Sequence, residues 1–452
     1  MVNVVHALGW YFPESCGGTE VYVDSLVKHL LDKGIHSTVI APSASEKAIS
    51  YTHNNVPIYR YPNPESLSIE EIRGVSLHQG FSDFQRWLSK KSADVYHQHS
   101  WVTGCDINNL RYAKQKGIPT VATIHVPGNV CIRGTMMRNG VSPCDGIIEI
   151  QRCSQCWTQS REISSVISQV ASKIPVAVGR WSEQQLPHSS LNTLVSTSHL
   201  VASHKESLLE LSSLADRVVA VCQWLYNALL LNGVPKEKLV LCRQGVFSKS
   251  NCSPSSDVQQ SNAPLPNAPL PNAPLHIGFL GRWATLKGIH ILVKAVQSLS
   301  KTVPVKLTVY ALDQGADKGR YRQQVMRIAE SDTRIQFSDP VSRSDITETL
   351  KSFDLLAVPS QWLETGPLVV LEAQAAGVPV IGSDIGGIAE LVSHGVDGWL
   401  VSATDTVAWR DAIEYIAKNR HLLAQWRHNI KPVRTMDTVA EEMIQLYEEV
   451  SS

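Results

Sequence analysis

The stretch from Leu355 to Glu372, LLAVPSQWLETGPLVVLE, combines an apolar run, a glycine-bearing turn and a helical pattern. The run at 355–359 predicts a strand, and the apolar spacing after it predicts a helix over 367–376. In doubly wound sheets, ligands bind at the carboxyl ends of the strands. Gly366 lets the backbone approach a ligand, and the helix N-terminus offers unpaired N–H groups to an anion. The stretch predicts a ligand site between two acids, although an ordinary helix with a capping acid has the same pattern.

Strands and helices alternate on both sides of this stretch. Runs rich in Val, Ile and Thr lie in the first half at 2–8, 38–42, 94–97, 119–125, 217–222 and 238–242. In the second half we predict strands at 275–281, 305–311, 355–359 and 379–382, and helices at 288–300, 319–331, 343–352, 367–376 and 405–418. Such alternation is typical of mostly parallel sheets covered on both faces by helices.

The alternation is interrupted at 248–275, where Ser, Asn and Pro dominate and Pro-Asn-Ala-Pro-Leu recurs. This composition cannot form a packed core and favours an extended spacer. We therefore predict an α/β protein with two Rossmann-like doubly wound domains, at 1–247 and 276–430. The segment 431–452 is predicted to be a helix that packs back on the N-terminal domain.

The bulk composition limits the classes of function. The chain has 452 residues, with 41 Lys plus Arg and 41 Asp plus Glu, so its formal net charge is zero. Broad nucleic-acid binding needs a basic surplus, so no nucleic-acid partner is expected. The sequence has no apolar run of transmembrane length and no basic segment followed by an apolar one at its start. We expect a cytoplasmic protein whose nine cysteines are reduced.

Two further loops contain residues suited to binding phosphate. Gly281-Arg-Trp-Ala-Thr-Leu-Lys-Gly288 follows a predicted strand, and its two cations, Arg282 and Lys287, can both reach one diphosphate. Gly17 and Gly18 lie between the first strand and the first helix, where adjacent glycines permit close approach to an anion. Each motif alone is weak, because solvated cations and glycine pairs are common in such loops.

Together these motifs resemble those of the retaining glycosyltransferases of the GT-B family, in the group called family four. The resemblance covers nearly the whole chain outside the spacer and is most specific from 355 to 401. That region includes Glu-Ala-Gln-Ala-Ala-Gly-Val-Pro-Val-Ile-Gly-Ser-Asp and Gly-Gly-Ile-Ala-Glu390. The resemblance implies two domains facing each other across a cleft, with the donor sugar nucleotide held by the C-terminal domain and the acceptor by the N-terminal domain.

The resemblance also implies a role for each matching residue. Arg282 and Lys287 match the pair that neutralises the donor diphosphate, and Glu364 matches the acid that holds the donor-sugar hydroxyls. Glu372 matches the acid that binds the nucleotide ribose, and His125 matches a histidine near the reacting carbon. A histidine at a strand end is otherwise more often a plain hydrogen-bonded residue.

Backbone groups complete the implied donor site. The residues expected to line the phosphates are Gly366, Pro367, Leu368 and Val369, with Gly17 and Gly18 closing over them from the other domain. Thr365-Gly-Pro stands where many family members have Phe-Gly, so the contacts to the donor sugar are expected to differ.

The implied reaction is transfer of a sugar from a UDP- or GDP-type donor to a hydroxyl acceptor, which is a glycan, a lipid-linked molecule or a small molecule. No two aspartates lie two residues apart, so a metal-binding D-x-D motif is absent from the sequence and metal-independent transfer is expected. Two alternatives stay open. One is a binding protein of the same fold that has lost catalysis, and the other is an epimerase or phosphorylase of this fold.

A second candidate site is a cysteine-rich segment at 125–160 of the N-terminal domain. Four cysteines occur with the spacing C-x12-C-x8-C-x2-C, namely Cys131, Cys144, Cys153 and Cys156. Four thiolates suit a structural Zn²⁺ ion, and an iron–sulfur cluster uses the same number of ligands. No cofactor is expected for catalysis, and free thiols or a redox pair remain the alternatives for the cysteines.

The segment 161–178 has apolar residues at helical spacing, among them Val166, Ile167 and Val170. We expect this face to pack within the N-terminal domain. The alternative is a surface that contacts the inner face of a membrane or a lipid-linked acceptor.

Overall fold

The structure, a computed structural model, describes residues 2–15, 17–63, 71, 76–187, 189–247, 273–313, 319–330 and 332–452. The chain forms two compact units. The first contains residues 1–244 and 436–452, and the second contains residues 245–435. Most of the predicted spacer, 248–272, lies outside the described residues.

The first unit alternates strands and helices through its first 130 residues and then becomes mainly helical. Its strands are β1 (Asn3–Ala7), β2 (His36–Ser43), β3 (Ile49–His53), β4 (Val56–Pro62), β5 (Val95–Gln98), β6 (Thr120–Ile124), β7 (Met137–Arg138), β8 (Ser142–Pro143), β9 (Arg217–Ala220) and β10 (Leu239–Leu241). Its helices are α1 (Gly18–Asp32), α2 (Phe81–Leu88), α3 (Ile107–Gln115), α4 (Ile150–Gln159), α5 (Ser165–Ala171), α6 (Val176–Gln185), α7 (Ser190–Val195), α8 (Thr197–Leu214), α9 (Gln223–Leu231) and the C-terminal helix, Met436–Ser451.

An eight-stranded sheet in the described part of the first unit has the order β10-β9-β6-β5-β1-β2-β4-β3. All neighbours are parallel except β3, which pairs antiparallel with β4. The chain enters at β1 and builds outwards in both directions, so β1 and β5 lie at the point where the strand order reverses. The sequence analysis did not predict the hairpin β3–β4.

The second unit consists of alternating strands and helices. Its strands are β11 (Leu275–Arg282), β12 (Val305–Leu312), β13 (Ile335–Ser338), β14 (Leu355–Val358), β15 (Val380–Ser383) and β16 (Gly398–Val401). Its helices are α10 (Ile289–Ser298), α11 (Arg320–Ala329), α12 (Ile346–Lys351), α13 (Leu368–Ala375), α14 (Gly386–Leu391), α15 (Thr406–Lys418) and α16 (His421–Asn429). The C-terminal helix of the first unit is α17.

The second sheet is parallel throughout its described strands, in the order β13-β12-β11-β14-β15-β16. Counted from β11, this is the strand order 3-2-1-4-5-6 of a Rossmann-type doubly wound sheet. The order reverses between β11 and β14. Arg282 ends β11, and the loops that follow β11 and β14 contain Lys287 and Glu364, so the predicted donor residues lie at the edge where such folds bind ligands.

The core of the second unit explains why these strands read as continuous apolar runs. Ile277, Leu307, Leu355 and Ile381 have no more than 1% of their surface exposed, and they come from four neighbouring strands. Helices cover both faces of a parallel sheet, so side chains on both faces of each strand are buried.

The C-terminal helix α17 belongs to the first unit. Val439, Met443 and Tyr447, at helical spacing, are buried, and Lys33 after α1 pairs with Asp437 and Glu441 at 3.0 Å each. The exposed acids make these pairs minor contributors to stability, and the buried apolar face is what holds the helix.

The segment 161–178 differs from the sequence prediction in two ways. It forms two helices rather than one, because α5 ends at Ala171 and Pro175 precedes α6. Its apolar face is also not packed in the domain: Val166, Ile167 and Val170 are 68%, 50% and 66% exposed. The prediction that this face is internal is wrong for these three residues, although Ala171 is buried.

Candidate active site

Two loops of the second unit meet at the carboxyl ends of β11 and β14. The backbone N–H of Gln361 donates to the carbonyl oxygen of Leu286 at 2.7 Å and joins them. Gly288 has a φ of 70°, and a Cβ at this position would lie 1.8 Å from the carbonyl oxygen of Pro359. Because only glycine permits this approach, Gly288 lets the loop with Lys287 lie against the loop with Glu364.

The carboxylate of Glu364 is the centre of these contacts. Its Oε1 accepts hydrogen bonds from Lys287 Nζ at 2.6 Å, Ser360 Oγ at 2.8 Å and Trp362 Nε1 at 2.9 Å. Glu364 is 6% exposed. Hydrogen bonds to a charged acceptor are stronger than neutral ones. Three donors on one oxygen therefore fix the orientation of the carboxylate.

The glycine pair at the start of α14 packs against the same loop. The N–H of Gly387 donates to the carbonyl oxygen of Glu364 at 2.6 Å. A Cβ on Gly387 would lie 2.4 Å from the nitrogen of Gly366, and one on Gly386 would lie 2.8 Å from the Cα of Leu363. A side chain at either position would displace the backbone around Glu364.

Gly366 has a φ of 109°, which favours glycine, and Pro367 is the N-cap of α13. Leu368 and Val369 are then the first two residues of the helix, where backbone N–H groups have no partner within the helix. The local geometry is therefore that of an anion-binding helix terminus, and its use by a phosphate stays a prediction.

Glu372 lies on α13 and is paired with a residue that the sequence did not single out. Arg343 approaches Glu372 Oε1 at 3.0 Å, and its guanidinium lies over the ring of Phe247 at 4.1 Å. Burial raises the pKa of Glu372, and Arg343 opposes that shift. No local motif marks Arg343, because the contact joins a turn before α12 to a helix almost thirty residues later.

Arg282 is the last residue of β11 and is exposed. Lys287 ends the short 3₁₀ turn Thr285–Lys287. The structure therefore brings Lys287 to Glu364, whereas joint binding of one diphosphate by Arg282 and Lys287 stays a prediction. Ser360 and Trp362 are site residues that the sequence reasoning missed.

In the first unit, Gly17 is the N-cap of α1 and Gly18 is its first residue. A Cβ on Gly17 would lie 2.7 Å from the Glu20 carboxylate, which accepts a hydrogen bond from Ser15 Oγ at 2.7 Å. A Cβ on Gly18 would meet nothing within 4 Å. The open space at this helix start is therefore beside Gly18.

His125 follows β6 and is 6% exposed. Its Nε2 is 3.2 Å from His99 Nδ1, and its ring meets that of Tyr22 edge-on at 4.8 Å. Burial lowers the pKa of His125 to about 3. The imidazole is therefore neutral near pH 7, and it can act through hydrogen bonds but not as a cation.

The four cysteines of the second candidate site line one cavity of about 30 Å³. Cys131 and Cys144 flank the hairpin β7–β8, and Cys153 and Cys156 lie one turn apart on α4. In the described part of the chain, only His6, His97 and His99 form a group of three whose ligating atoms lie within 4.8 Å of one another. The four thiols line one cavity, but no three of their sulfur atoms lie within 4.8 Å of one another. Metal binding by these cysteines stays a prediction.

The chain matches two protein families. Residues 266–432 match the Glycosyl transferases group 1 family, and residues 16–144 match Glycosyltransferase Family 4. Among curated relatives, the D-inositol 3-phosphate glycosyltransferase of Pseudarthrobacter chlorophenolicus is 24% identical over 407 residues, 88% of this chain and 81% of the relative. The enzyme of the same name from Arthrobacter sp. is 23% identical over 408 residues, with the same shares.

Solved structures resemble the chain over its whole length. Sucrose-phosphate synthase from Thermosynechococcus elongatus has a TM-score of 0.66 at 18% identity and covers 100% of this chain and 99% of its own. Anabaena HepE in complex with UDP-glucose has a TM-score of 0.63 at 15% identity and covers 99% and 100%. At these identities the likeness concerns the fold.

The two Rossmann-type sheets, together with these structural neighbours, define a protein of the GT-B class. The family matches and curated relatives then specify the enzyme: this chain is a glycosyltransferase and belongs to family four. Among the described residues, no helix is long and apolar enough to cross a membrane.

Proposed function

We propose that the enzyme transfers a sugar from a nucleoside-diphosphate donor to a hydroxyl acceptor, with retention at the anomeric carbon and without a metal ion. The observation that supports this most directly is the contact of Lys287 with Glu364 at the point where the second sheet reverses its strand order. At this position the cation can bind a phosphate, and the acid can accept hydrogen bonds from sugar hydroxyls.

The charge that develops on the leaving diphosphate determines the roles of the cations. Lys287 and Arg282 stabilise the β-phosphate, and the backbone N–H groups at 366–369 stabilise it from the helix terminus. Lys287 has three N–H donors, so it can bond the diphosphate while it keeps its bond to Glu364. Losing one preorganised donor of this kind commonly lowers the rate by roughly 10²–10³.

The two acids bind the sugar and the ribose of the donor. Glu364 accepts hydrogen bonds from the sugar hydroxyls, and Glu372 binds the ribose diol while Arg343 holds its carboxylate in place. From the first unit, His125 contacts the sugar near the reacting carbon, and Gly17 and Gly18 contact the phosphates. Because the D-x-D motif is absent from the sequence, these cations take the role that a metal ion has in other transferases.

The donor is a UDP- or GDP-type sugar, and the acceptor is a glycan, a lipid-linked molecule or a small molecule. Anabaena HepE is described in complex with UDP-glucose, which favours UDP as the first nucleotide to test. The first measurement is thermal unfolding with UDP, GDP or ADP in the presence of EDTA. A nucleotide at 100 times its dissociation constant adds about 2.7 kcal/mol of stability.

One nucleotide should raise the unfolding temperature of the wild type and of Lys351→Ala, but not of Lys287→Ala. Lys351 is an exposed lysine of the same unit, paired with Glu348, and serves as the matched control. With the matching donor, NMR of the product then shows whether the anomeric configuration of the transferred sugar is the same as in the donor. An inverted product refutes retention, and dependence of the rate on an added metal refutes metal independence.

The two alternatives predict different products. A binding protein that has lost catalysis would show the thermal shift without transferring sugar to any acceptor. An epimerase would convert the donor sugar in the absence of an acceptor, and a phosphorylase would release a sugar phosphate. The opposite charges of Lys287 and Glu364, held in one contact, favour the transferase.

We also propose that Cys131, Cys144, Cys153 and Cys156 bind one structural Zn²⁺. All four line one cavity, and the N–H of Asn139 donates to Cys156 Sγ at 3.2 Å. Metal analysis of freshly purified protein should find about one zinc per chain. Cys153→Ser should abolish it, and Cys105→Ser, a buried cysteine elsewhere, should retain it. Zinc-free wild type refutes the site, and iron in its place indicates a cluster.

The exposed apolar residues of α5 and α6 support a peripheral contact with an anionic membrane surface inside the cell. Val166, Val170 and Trp181 are 68%, 66% and 57% exposed, and Lys173 and Arg180 nearby are also exposed. The wild type and Val407→Asp should sediment with anionic vesicles, whereas Val166→Asp should not. Val407 is 54% exposed on α15 and is the matched control. Equal sedimentation of both variants refutes this contact.

A further inference from the structure

Four buried histidines lie side by side, each on or directly after one of three neighbouring parallel strands of the first unit. His6 is on β1 and His97 on β5, His99 directly follows β5, and His125 follows β6. None is more than 6% exposed. One of them, His125, has a proposed role at the reacting sugar, and the inference below rests on that role.

Three of the imidazoles form a continuous chain of contacts with one serine. Ser37 Oγ is 3.3 Å from His6 Nε2, and His6 Nδ1 is 3.1 Å from His99 Nε2. His99 Nδ1 is in turn 3.2 Å from His125 Nε2. The chain uses both ring nitrogens of His6 and His99, and it ends on one defined nitrogen of His125.

The fourth histidine belongs to a separate branch. His97 Nδ1 is 2.8 Å from the hydroxyl of Tyr447, and its Nε2 is 2.7 Å from Thr123 Oγ1. Both nitrogens of His97, His6 and His99 thus have hydrogen-bond partners. The close grouping of these three rings is accounted for without a metal ion.

The rings of the chain are neutral. Burial lowers the pKa of His6 and of His125 to about 3, and it lowers that of His99 well below its usual value. A neutral imidazole has one N–H donor and one acceptor nitrogen. If His99 donates from Nδ1, its Nε2 must accept from His6 Nδ1, and His125 must have its proton on Nδ1. If His125 donates from Nε2, every link reverses.

We propose that His99 and His6 are positioning residues that set the tautomer of His125. The three rings all have their proton on Nδ1 or all have it on Nε2, and a mixed state places two donors or two acceptors face to face. The chain therefore decides whether Nδ1 of His125 is a hydrogen-bond donor or an acceptor. Ser37 terminates the chain because a hydroxyl can take either role.

The direct test is ¹⁵N NMR of the histidine ring nitrogens in the ligand-free full chain, with signals assigned by single substitution. In the wild type, His6, His99 and His125 should have the same tautomer. His99→Phe breaks the chain with a ring of similar size and should leave His125 with a changed or mixed tautomer. Ser37→Ala is a milder second variant. It leaves His6 Nε2 without its donor or acceptor, which should shift the tautomer of all three rings together.

Tyr447→Phe is the matched control, because it removes a buried partner of His97 and leaves the chain intact. We expect kcat to fall about tenfold in His99→Phe, the equivalent of one lost hydrogen bond, with a small change in donor KM. The Tyr447→Phe enzyme should retain the wild-type kcat and the wild-type His125 signals.

Opposite tautomers on neighbouring rings of the wild type would overturn the proposal. So would a His99→Phe enzyme with the wild-type tautomer of His125 and the wild-type kcat. The NMR test needs no substrate and is separate from the proposed function. Coupled tautomers in a chain whose His125→Ala variant transfers sugar normally would refute the role of His125 and leave the coupling intact.

Discussion

The contact between Lys287 and Glu364 gives the sharpest prediction, because the two residues are 77 positions apart and one carboxylate oxygen accepts three hydrogen bonds. Glu364→Gln keeps an acceptor oxygen of the same shape and removes the charge. Hydrogen bonds to charged groups contribute about 1.5–3 kcal/mol and neutral ones about 0.5–1.5. The partial exposure of the Lys287 side chain, 22%, reduces the difference. We expect Glu364→Gln to lower the free energy of unfolding by about 1–2 kcal/mol.

Glu364→Ala should cost more, because it leaves the buried donors of Ser360 and Trp362 without their acceptor. An expected loss of about 3–5 kcal/mol follows from removing one partner of a buried charged contact. Sugar transfer should fall by roughly 10²–10³ in Glu364→Ala, as for other preorganised polar groups that contact a reacting substrate. Urea unfolding measures the first quantity, and initial rates with saturating donor measure the second.

The matched control is Glu348→Gln, which removes the charge from an exposed ion pair with Lys351 at 2.8 Å in the same unit. It should change stability by less than about 0.5 kcal/mol and leave transfer unchanged. A double-mutant cycle of unfolding free energies, made from Glu364→Gln, Lys287→Met and the double variant, should give a coupling energy of about 1–3 kcal/mol. A coupling near zero, with full activity of Glu364→Gln, would refute the reasoning from this contact.

Three other predictions concern different parts of the molecule. Gly288→Ala places a Cβ 1.8 Å from the carbonyl oxygen of Pro359 and should lower both stability and donor affinity. Gly377→Ala, with a similar φ of 72° and open space, should lower stability by only about 1 kcal/mol, and equal effects in urea unfolding would contradict the clash. Arg343→Ala removes the cation that lowers the pKa of Glu372, so titration by NMR should find that pKa higher still, and nucleotide affinity should weaken. Buried neutral His6 and His125 bind fewer protons than the unfolded chain between about pH 3 and 6.5. Stability should therefore be complete above pH 6.5 and fall below it, by up to about 1.4 kcal/mol per pH unit for each histidine. His6→Phe should flatten that slope in urea unfolding at pH 7.5 and 5.5, and an unchanged slope would contradict the assignment.

The strands and helices of the second unit could be predicted closely from periodicity. The apolar run at 355–359 and the spacing after it correspond to β14 and α13, because a strand buried on both faces must be apolar throughout. The helices α14 and α16 were not predicted, and neither were the short strands β13 and β16. Exposed and half-buried positions in these two strands interrupt the apolar pattern, so nothing distinguishes them from loops.

For the segment 161–178, the periodicity of apolar residues gave a wrong prediction. The spacing of Val166, Ile167 and Val170 is that of a buried helical face, yet all three are exposed. Amphipathic spacing reports that one face is apolar, and it does not report whether another element covers that face. Pro175 could have indicated the break between α5 and α6, since the residue before a proline disfavours helix.

The sequence by itself determined the fold class, the two Rossmann-like halves, the loops in which Lys287 and Glu364 occur and the helix that contains Glu372. These features depend on local periodicity and on motifs within a few residues. Only the tertiary structure decided that Ser360 and Trp362 share one oxygen of Glu364 with Lys287, that Arg343 faces Glu372, and that His6, His99 and His125 form one chain. The contact of Lys287 with Glu364 and those among the histidines arise because neighbouring parallel strands bring together residues that are distant in sequence. Strand order and register determine which residues come into contact, and no local sequence pattern encodes strand order or register.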